Sequence, residues 1–384
     1  MLTFYPNITI IIFMNEPLRR RFPFSAIIGQ DKLKMAYLAN VVNPRIGGLL
    51  ISGPKGTGKS TAVHSIGSAL PDVASVDGCP FGCDPGVPAR FCSLCRGRQD
   101  HPPRTRRMAI VNLPLSCTED RLIGSIDVEK LLKTGEKAVL PGILGAANGN
   151  ILYVDEVNLL PDHLVDDILD AAASHWNTIE REGVSIAHPA EFVLVGTMNP
   201  EEGDLRPQIL DRFPLCVKIE TVKDPALRVE IVRLNLEYEN DPDTFFARCA
   251  APEEQLKRTI VAARALLPQV SAGDEAVAAV ARSCAELKVD GQRPDIVIVK
   301  TALTLAALGG RTQVAREDIM LASELALVHR TRDGGLLEPP TADEIGKTFG
   351  HNTAAVPHAG VPGTATLSED AADNPSVIVK KNMK

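Results

Sequence analysis

Residues 53–60 (GPKGTGKS) have the composition and spacing of a loop that binds phosphate groups. Its glycines let backbone N–H groups turn toward an anion, Lys59 supplies positive charge to the β- and γ-phosphates, and the Ser60 hydroxyl can ligate Mg²⁺. A short apolar run, 47–52, precedes the loop and a helix-like stretch, 59–70, follows it, as this motif requires. The sequence therefore predicts a site for ATP with Mg²⁺, contacted by Gly53, Pro54, Lys55, Gly56, Thr57, Gly58, Lys59, Ser60 and Thr61.

Two adjacent carboxylates, Asp155 and Glu156, follow the apolar run 151–154. The carboxyl ends of strands are where α/β sheets place their ligand chemistry. Nucleotide hydrolysis needs one carboxylate to hold Mg²⁺ and another to orient and deprotonate the attacking water. We assign the first role to Asp155 and the second to Glu156. The alternative is a pair of solvated acids before a helix capped by Asn158, and the phosphate loop upstream disfavours it.

A polar amide, Asn199, ends the following apolar run and precedes Pro200. At a strand end this amide would hold the attacking water against the γ-phosphate. An asparagine before a proline is also a common turn former. The spacing favours neither role over the other.

Three arginines outside the phosphate loop are candidates to act on the same phosphates. Arg206 and Arg212 follow the run that Asn199 ends, and Arg293 begins a helix-like stretch. An arginine contributed by a neighbouring subunit can raise the rate of phosphoryl transfer roughly 10³- to 10⁵-fold, and it makes hydrolysis depend on assembly. The alternative for each is a surface arginine with a local partner, such as Asp211 for Arg212.

Four of the eight cysteines are close together in the sequence, at Cys79, Cys83, Cys92 and Cys95. Four thiolates at close spacing can bind Zn²⁺ tetrahedrally or hold an iron–sulfur cluster. Reduced thiols and a regulatory disulfide are the alternatives, because the spacing departs from the usual pair of C-x2-C knuckles. His101 is either an extra ligand or a loop histidine.

The scaffold that brings these residues together is predicted from the apolar pattern. Near-continuous apolar runs with β-branched residues indicate strands buried on both faces of a parallel sheet, at 47–52, 108–114, 150–156, 191–199 and 216–220. Apolar residues then recur at helical spacing, at 226–239, 255–267, 274–289, 294–309 and 316–331. We predict an α/β nucleotide-binding domain at 22–222 with a Cys-containing loop insertion at 77–107. A helical lid domain at 223–332 and a flexible tail at 333–384 follow.

Composition and charge exclude some classes of function. The 384 residues carry 41 Lys and Arg against 48 Asp and Glu, a net charge of −7, whereas an electrostatic nucleic-acid binder needs a basic face. The apolar run 8–13 is too short to span a bilayer and lacks the flanks of a signal peptide. We expect a cytoplasmic protein that binds no nucleic acid and has no membrane span. Residues 1–21 are expected to be a disordered extension, with Met14 as a second candidate start.

The order of these features resembles an AAA+ ATPase: phosphate loop, acidic strand end, polar strand end and a helical lid that carries an arginine. The text of 27–61, 140–169 and 177–213 resembles the ATPase subunit of magnesium chelatase more specifically. Its most distinctive part runs EREG, HPA, GTMNPEEG, RPQ and LDRF. The resemblance covers roughly residues 22–330.

The resemblance implies roles for residues beyond the phosphate loop. These are Asp155 and Glu156 as Walker B, Asn199 as sensor 1, Arg212 as the arginine finger acting in trans, and Arg293 as sensor 2. Arg206 is the nearby competitor of Arg212. Two inserted hairpins are implied at about 118–145 and 178–190. The clustered cysteines match no established catalytic residue of the family and are a departure from it.

The resemblance also implies an activity and partners. The family forms a ring, expected here to be a hexamer, and works with an integrin-domain D-type subunit and a porphyrin-binding H-type subunit. Its ATP hydrolysis drives insertion of Mg²⁺ into protoporphyrin IX for chlorophyll or bacteriochlorophyll, so the chain would be the motor and not the chelating centre. The alternatives are a motor for cobalt insertion or a metal-insertion chaperone of the same branch. A non-hydrolysing nucleotide sensor is disfavoured by the complete carboxylate pair.

Overall fold

The computed structural model of the chain describes residues 21–126, 139–181, 184–203 and 205–359. The predicted extension at 1–21 lies outside the described residues except for Arg21. So do the middle of the first predicted hairpin and the part of the predicted tail after residue 359.

Strands and helices are interspersed as far as residue 218, and from there to residue 359 the described elements are helices. The strands are β1 (Leu49–Ser52), β2 (Asp72–Val76), β3 (Pro103–Arg107), β4 (Ile110–Leu113), β5 (Gly124–Ile126), β6 (Val139–Pro141), β7 (Ile151–Val154), β8 (Trp176–Arg181), β9 (Val184–Pro189), β10 (Val193–Met198) and β11 (Leu215–Lys218). The helices are α1 (Asp31–Val42), α2 (Lys59–Ser65), α3 (Ser93–Arg96), α4 (Glu119–Ile123), α5 (Ile143–Ala147), α6 (Asp162–Ser174), α7 (Pro207–Leu210), α8 (Pro225–Asn240), α9 (Pro242–Leu266), α10 (Asp274–Glu286), α11 (Arg293–Leu308), α12 (Arg316–Leu327) and α13 (Ala342–Asn352).

The central sheet has five parallel strands in the order β11-β1-β10-β7-β4. Leu49 and Ile51 of β1 pack into a core shared with the C-terminal helices, whereas Leu50 packs into a second core on the opposite face. Both faces are therefore covered, which is why these strands appear in the sequence as continuous apolar runs and not as alternating ones. The predicted α/β fold, with its parallel sheet flanked by helices and its helical C-terminal region, is confirmed.

The predicted flexible tail is wrong for residues 342–352, which form helix α13. Thr341 and Glu344 make a reciprocal capping box at its start, and Ile345 and Phe349 are buried against α10 and α12. The prediction missed this helix because only two large apolar residues, one turn apart, attach it to the core. Composition across 333–384 is otherwise polar and rich in small residues.

The insertion at 77–107, predicted as a loop, ends in a strand. Strand β3 pairs antiparallel with β2, with Val76 opposite Pro103 and Asp72 opposite Arg107. Its side chains are mostly exposed, so it carries no apolar alternation by which the sequence could have marked it.

Two further antiparallel pairs project from the sheet domain. Strand β5 pairs with β6, and β8 pairs with β9 from Trp176 opposite Pro189 to Arg181 opposite Val184. The first pair lies within the insertion predicted at about 118–145, and the second begins two residues before the one predicted at about 178–190. Over the described ranges, none of the helices combines the length and apolar character needed to cross a bilayer.

Candidate functional site

The phosphate loop follows β1, the strand next to β10 in the sheet. A Cβ at Gly53 would meet the carbonyl oxygen of Ile219 at 2.6 Å, so only glycine fits there. Gly58 takes the left-handed φ of 78° immediately before α2, a conformation that favours glycine. The loop therefore has the tight, glycine-dependent backbone that turns N–H groups toward an anion.

Lys59 lies folded over the loop that it follows. Its Nζ donates to the carbonyl oxygens of Gly53 and Pro54 at 2.6 and 2.7 Å. Partial burial lowers the pKa of this ammonium, and the nearby carboxylates of Asp155 and Glu202 act in the opposite direction. The positive charge of Lys59 therefore lies at the phosphate loop, between the loop carbonyls and the carboxylates of Asp155 and Glu202.

Asp155 and Ser60 lie side by side, although 95 residues separate them in the chain. The Ser60 Oγ is 3.5 Å from one carboxylate oxygen of Asp155, and the other carboxylate oxygen accepts a 2.6 Å hydrogen bond from Thr197 Oγ1. A hydroxyl and a carboxylate are hard oxygen donors, which Mg²⁺ prefers. The two residues predicted to hold the Mg²⁺ of ATP are therefore placed where one ion could contact both.

Glu156 has an unusual backbone conformation, with φ 51° and ψ 53°. Left-handed geometry at a residue other than glycine costs of order 1–3 kcal/mol and clusters at functional sites. Its N–H donates to Thr197 Oγ1 at 3.2 Å, which helps to hold that conformation. The carboxylate predicted to be the general base is thus placed by its backbone at the turn that ends β7.

Asn199 caps the short turn Pro200–Glu202. Its side-chain oxygen accepts from the Glu201 N–H at 3.2 Å, and the residue is buried. The turn-forming role left open by the sequence is therefore real. Because the oxygen is used in the cap, the NH₂ group is the half of the amide available for a sensor role, which stays a prediction.

The arginines Arg206 and Arg212 are held by an acidic stripe on α6. Arg206 pairs with Asp162, and Arg212 Nη1 lies 3.1 Å from Asp166 and 2.9 Å from Asp170. The three acids are four residues apart, so they share one face of the helix. Asp211, the neighbour considered as a partner for Arg212, instead accepts from the Thr331 hydroxyl at 3.0 Å.

Residues of the helical lid donate hydrogen bonds to the backbone of the loop that carries Arg212. Arg293 donates to the carbonyl of Arg212 at 2.9 Å, and the buried Arg330 donates to that of Phe213 at 3.1 Å. Burial lowers the pKa of His329 to about 3, so its ring is neutral and its Nε2 donates to the same Phe213 carbonyl at 2.8 Å. Arg293 thus contacts the loop that carries Arg212, and its sensor 2 role stays a prediction.

Sequence reasoning missed several members of this site. His329 and Arg330 lie at the end of a predicted helix, and no nearby residue indicates that they contact the backbone near Phe213. Gln30 donates to the Thr57 carbonyl of the phosphate loop at 3.1 Å. One feature of the sequence could have identified Thr197: it is a polar residue in the otherwise apolar strand β10, just before Asn199.

The four clustered cysteines converge in space. Their Sγ atoms all lie within 4.8 Å of one another. His101 is not among them: its Nε2 is 2.8 Å from the Cys95 carbonyl and its ring lies against Phe91. The loop-histidine interpretation of His101 therefore agrees with the structure.

A phosphate loop that follows an inner strand of a five-stranded parallel sheet, continued by a helical lid, places this protein among the AAA+ ATPases. The model of the AAA lid domain matches residues 277–348, and that of magnesium chelatase, subunit ChlI, matches 23–206. A crystal structure of a protein described as an ATPase from Cytophaga hutchinsonii is 14% identical, with TM-score 0.55 over 85% of this chain and 91% of that one. That likeness shows the fold alone.

Two relatives refine the class. The magnesium-chelatase subunit ChlI homolog of Methanocaldococcus jannaschii is 49% identical over 83% of this chain and 87% of its own length. The magnesium-chelatase subunit ChlI of a Nostoc species is 47% identical over 85% of this chain and 89% of its own. The chain belongs to the family of magnesium-chelatase subunit ChlI, and the resemblance found in its sequence is confirmed.

Thr197→Val is expected to lower kcat for ATP hydrolysis by roughly 10- to 100-fold, because a hydrogen bond to a charged group contributes about 1.5–3 kcal/mol. Valine keeps the shape of the buried side chain but removes the hydroxyl that donates to Asp155 and accepts from the Glu156 N–H. Steady-state phosphate release measures kcat and KM separately. Thr197→Ser retains the hydroxyl and should recover most of kcat. Failure of serine to recover it would show that Thr197 acts through packing and not as a positioning residue.

Proposed function

We propose that this chain is the ATP-driven motor subunit of magnesium chelatase, coupling hydrolysis to insertion of Mg²⁺ into protoporphyrin IX. It acts with a porphyrin-binding H-type subunit and an integrin-domain D-type subunit. The observation that carries the proposal is the approach of Ser60 to Asp155 beside the phosphate loop, in a chain nearly half identical to magnesium-chelatase subunits. ATP is its substrate for hydrolysis and Mg²⁺ accompanies the nucleotide, and a further metal centre, zinc or iron–sulfur, is assigned to the clustered cysteines.

Hydrolysis uses the chain's own residues in distinct roles. Lys59 and the loop N–H groups bind the β- and γ-phosphates, and Ser60 with Asp155 holds the Mg²⁺ that accompanies ATP. Glu156 takes the proton of the attacking water, and Asn199 orients that water through its NH₂ group. The strained turn at Glu156 supports this role, since it fixes the direction in which the side chain leaves the strand end.

Assembly into a ring supplies the remaining positive charge. Arg212 acts on the phosphate of a neighbouring subunit, and Arg293 reports the nucleotide to the lid. Helix α8 supports an oligomer, because none of its residues is buried and it exposes large apolar side chains at Leu227, Val229, Val232 and Leu236. Exposed apolar surface of this kind marks a protein contact. We assign six subunits to the ring.

The proposal is tested by reconstitution with candidate H- and D-type subunits. Porphyrin metallation is followed by absorbance, with Mg²⁺ and protoporphyrin IX in one arm and Co²⁺ and a corrin substrate in the other. Metallation should require ATP, this chain and Mg²⁺. Lys59→Ala, which removes the charge at the phosphates, should abolish it.

Activity confined to the cobalt arm would overturn the choice of client while leaving the motor role in place. ATP-independent metallation, or activity unaffected by Lys59→Ala, would overturn the motor role itself.

A further inference from the structure

The cysteine cluster, Cys79, Cys83, Cys92 and Cys95, forms a compact group of four sulfur atoms. Three of the four residues are completely buried, and Cys79 is partly exposed. The Sγ atoms of Cys79 and Cys92 are 3.9 Å apart, and all four lie within 4.8 Å of one another. Residues far apart in the loop have thus been brought to one point.

The geometry points to a structural Zn²⁺ ion bound by all four thiolates. With Zn–S bonds of about 2.3 Å, a regular tetrahedron has sulfur–sulfur edges of about 3.8 Å, close to the 3.9 Å between Cys79 and Cys92. A disulfide needs about 2.05 Å between its sulfurs. An iron–sulfur cluster places several irons between its thiolates, which would spread them further apart. One tetrahedral ion fits the sulfur spacing best.

The backbone around the cluster is arranged to support thiolates. The N–H of Cys92 points at Cys83 Sγ at 3.2 Å, and the N–H of Cys95 at Cys92 Sγ at 3.3 Å. Such outer hydrogen bonds orient metal ligands and stabilise their negative charge. Cys92, Cys95 and the short helix α3 thus form one knuckle, and a turn with left-handed Gly82 forms the other.

Nearby arginines offset the charge that such a site would carry. Four thiolates and one Zn²⁺ sum to −2. Arg98 donates to the carbonyls of Asp77 and Gly78, next to Cys79, at 3.3 and 3.0 Å. Arg106 lies over the turn at Gly82, where an added Cβ would be 3.2 Å from its guanidinium. A guanidinium therefore lies beside each of the turns that carry Cys79 and Cys83, and its positive charge favours a doubly negative centre.

The site would join the insertion to the β8–β9 hairpin. The Ser93 hydroxyl, between two ligands, donates to the carbonyl of Ala187 and accepts from its N–H, both at 3.2 Å. Phe81, between the other two, stacks on His188 at 4.1 Å. The cysteines also share their small core with Ile179 and Ile186. Because this core is small, a metal cross-link is what stabilises it.

This zinc assignment refines the metal centre in the proposed function but does not require the motor role, since metal content is measured without ATP. The full chain is purified under reducing conditions without a metal-affinity resin and analysed for zinc, iron and sulfide. About one zinc per chain is expected. Fewer than about 0.2 metals per chain, or iron in place of zinc, would overturn it.

Two variants localise the metal. Cys92→Ser with Cys95→Ser should lose zinc, whereas Cys249→Ser with Cys284→Ser, which removes two buried cysteines elsewhere, should keep it. If the first variant does not fold, Co²⁺ added to chelator-treated wild-type protein gives the same answer. The bands of tetrahedral thiolate-bound Co²⁺ are expected, and an octahedral spectrum would contradict the site.

The anchoring role has its own readout. Removing zinc should speed amide hydrogen exchange in β9, at Ala187 above all, while β10 in the central sheet stays protected. Unchanged exchange in β9 after zinc loss would show that the ion does not brace the hairpin.

Discussion

Replacing Glu156 by Gln is expected to leave ATP binding unchanged and to lower the rate of hydrolysis by about 10²- to 10⁴-fold, the usual contribution of a general base. Glutamine matches the length of glutamate but cannot accept the proton of the attacking water. The left-handed turn at this position is held through the backbone N–H, which donates to Thr197 and is not altered by the substitution. The loss of rate should therefore report chemistry and not a displaced loop.

Phosphate release under saturating ATP and calorimetric binding of ATP measure the two quantities separately. The same chemical change at Glu254→Gln is the control, because Glu254 forms an exposed ion pair with Arg258 on helix α9, worth little to stability. The variant should also trap the ATP-bound assembly, seen by size-exclusion chromatography. Hydrolysis at the wild-type rate would mean that another group is the base.

Arg212→Ala is expected to assemble and bind ATP but to hydrolyse it roughly 10³- to 10⁵-fold more slowly. Among the described residues, the side chain pairs with Asp166 and Asp170 on the surface of α6, so its loss costs little stability. The lid holds this loop by its backbone carbonyls, through Arg293 and Arg330. An alanine therefore removes the guanidinium and leaves the loop in place.

Mixing experiments test whether the arginine acts across a subunit interface. Lys59→Ala subunits should fail to bind ATP, yet they retain Arg212. In a mixed ring they present that arginine to an Arg212→Ala neighbour that still binds ATP, so mixtures should hydrolyse ATP when neither variant does alone. Absence of any recovery would place the action of Arg212 within its own subunit.

Arg206→Ala tests which of the two neighbouring arginines, Arg206 or Arg212, acts on the phosphate of the next subunit. Arg206 pairs with Asp162, one turn of α6 away from the acids that hold Arg212. Its loss is expected to reduce hydrolysis far less than the loss of Arg212. The opposite order would make Arg206 the trans arginine.

The acidic stripe and the lid contacts suggest how hydrolysis is coupled to assembly. Arg212 pairs with two carboxylates of its own subunit. If it acts in trans as proposed, a neighbour's phosphate must compete with them for it. The backbone of the same loop is hydrogen-bonded to the lid, which ties the position of Arg212 to that of the lid. In the proposed ring, both effects would make the state of one nucleotide site depend on the next subunit, which is the basis of coupling between sites.

Much of the candidate nucleotide site could be predicted from the sequence alone. The phosphate loop, the carboxylates at 155 and 156 and the five sheet strands are local patterns: a glycine spacing, an acidic pair after an apolar run, and runs buried on both faces. Such patterns are visible in the sequence because each depends on a few consecutive residues. The helical lid was predicted for the same reason, from apolar residues at helical spacing.

Only the tertiary structure decided which distant residues meet. The order of the strands brings Thr197 to Asp155. The lid brings His329 and Arg330 to the backbone that follows Arg212. Helix α6 supplies the acidic partners of the Arg212 side chain. Helix α13 and the exposed strand β3 also depend on contacts far along the chain. These pairings are set by the packing of whole elements against one another, and no pattern within a short stretch of sequence records them.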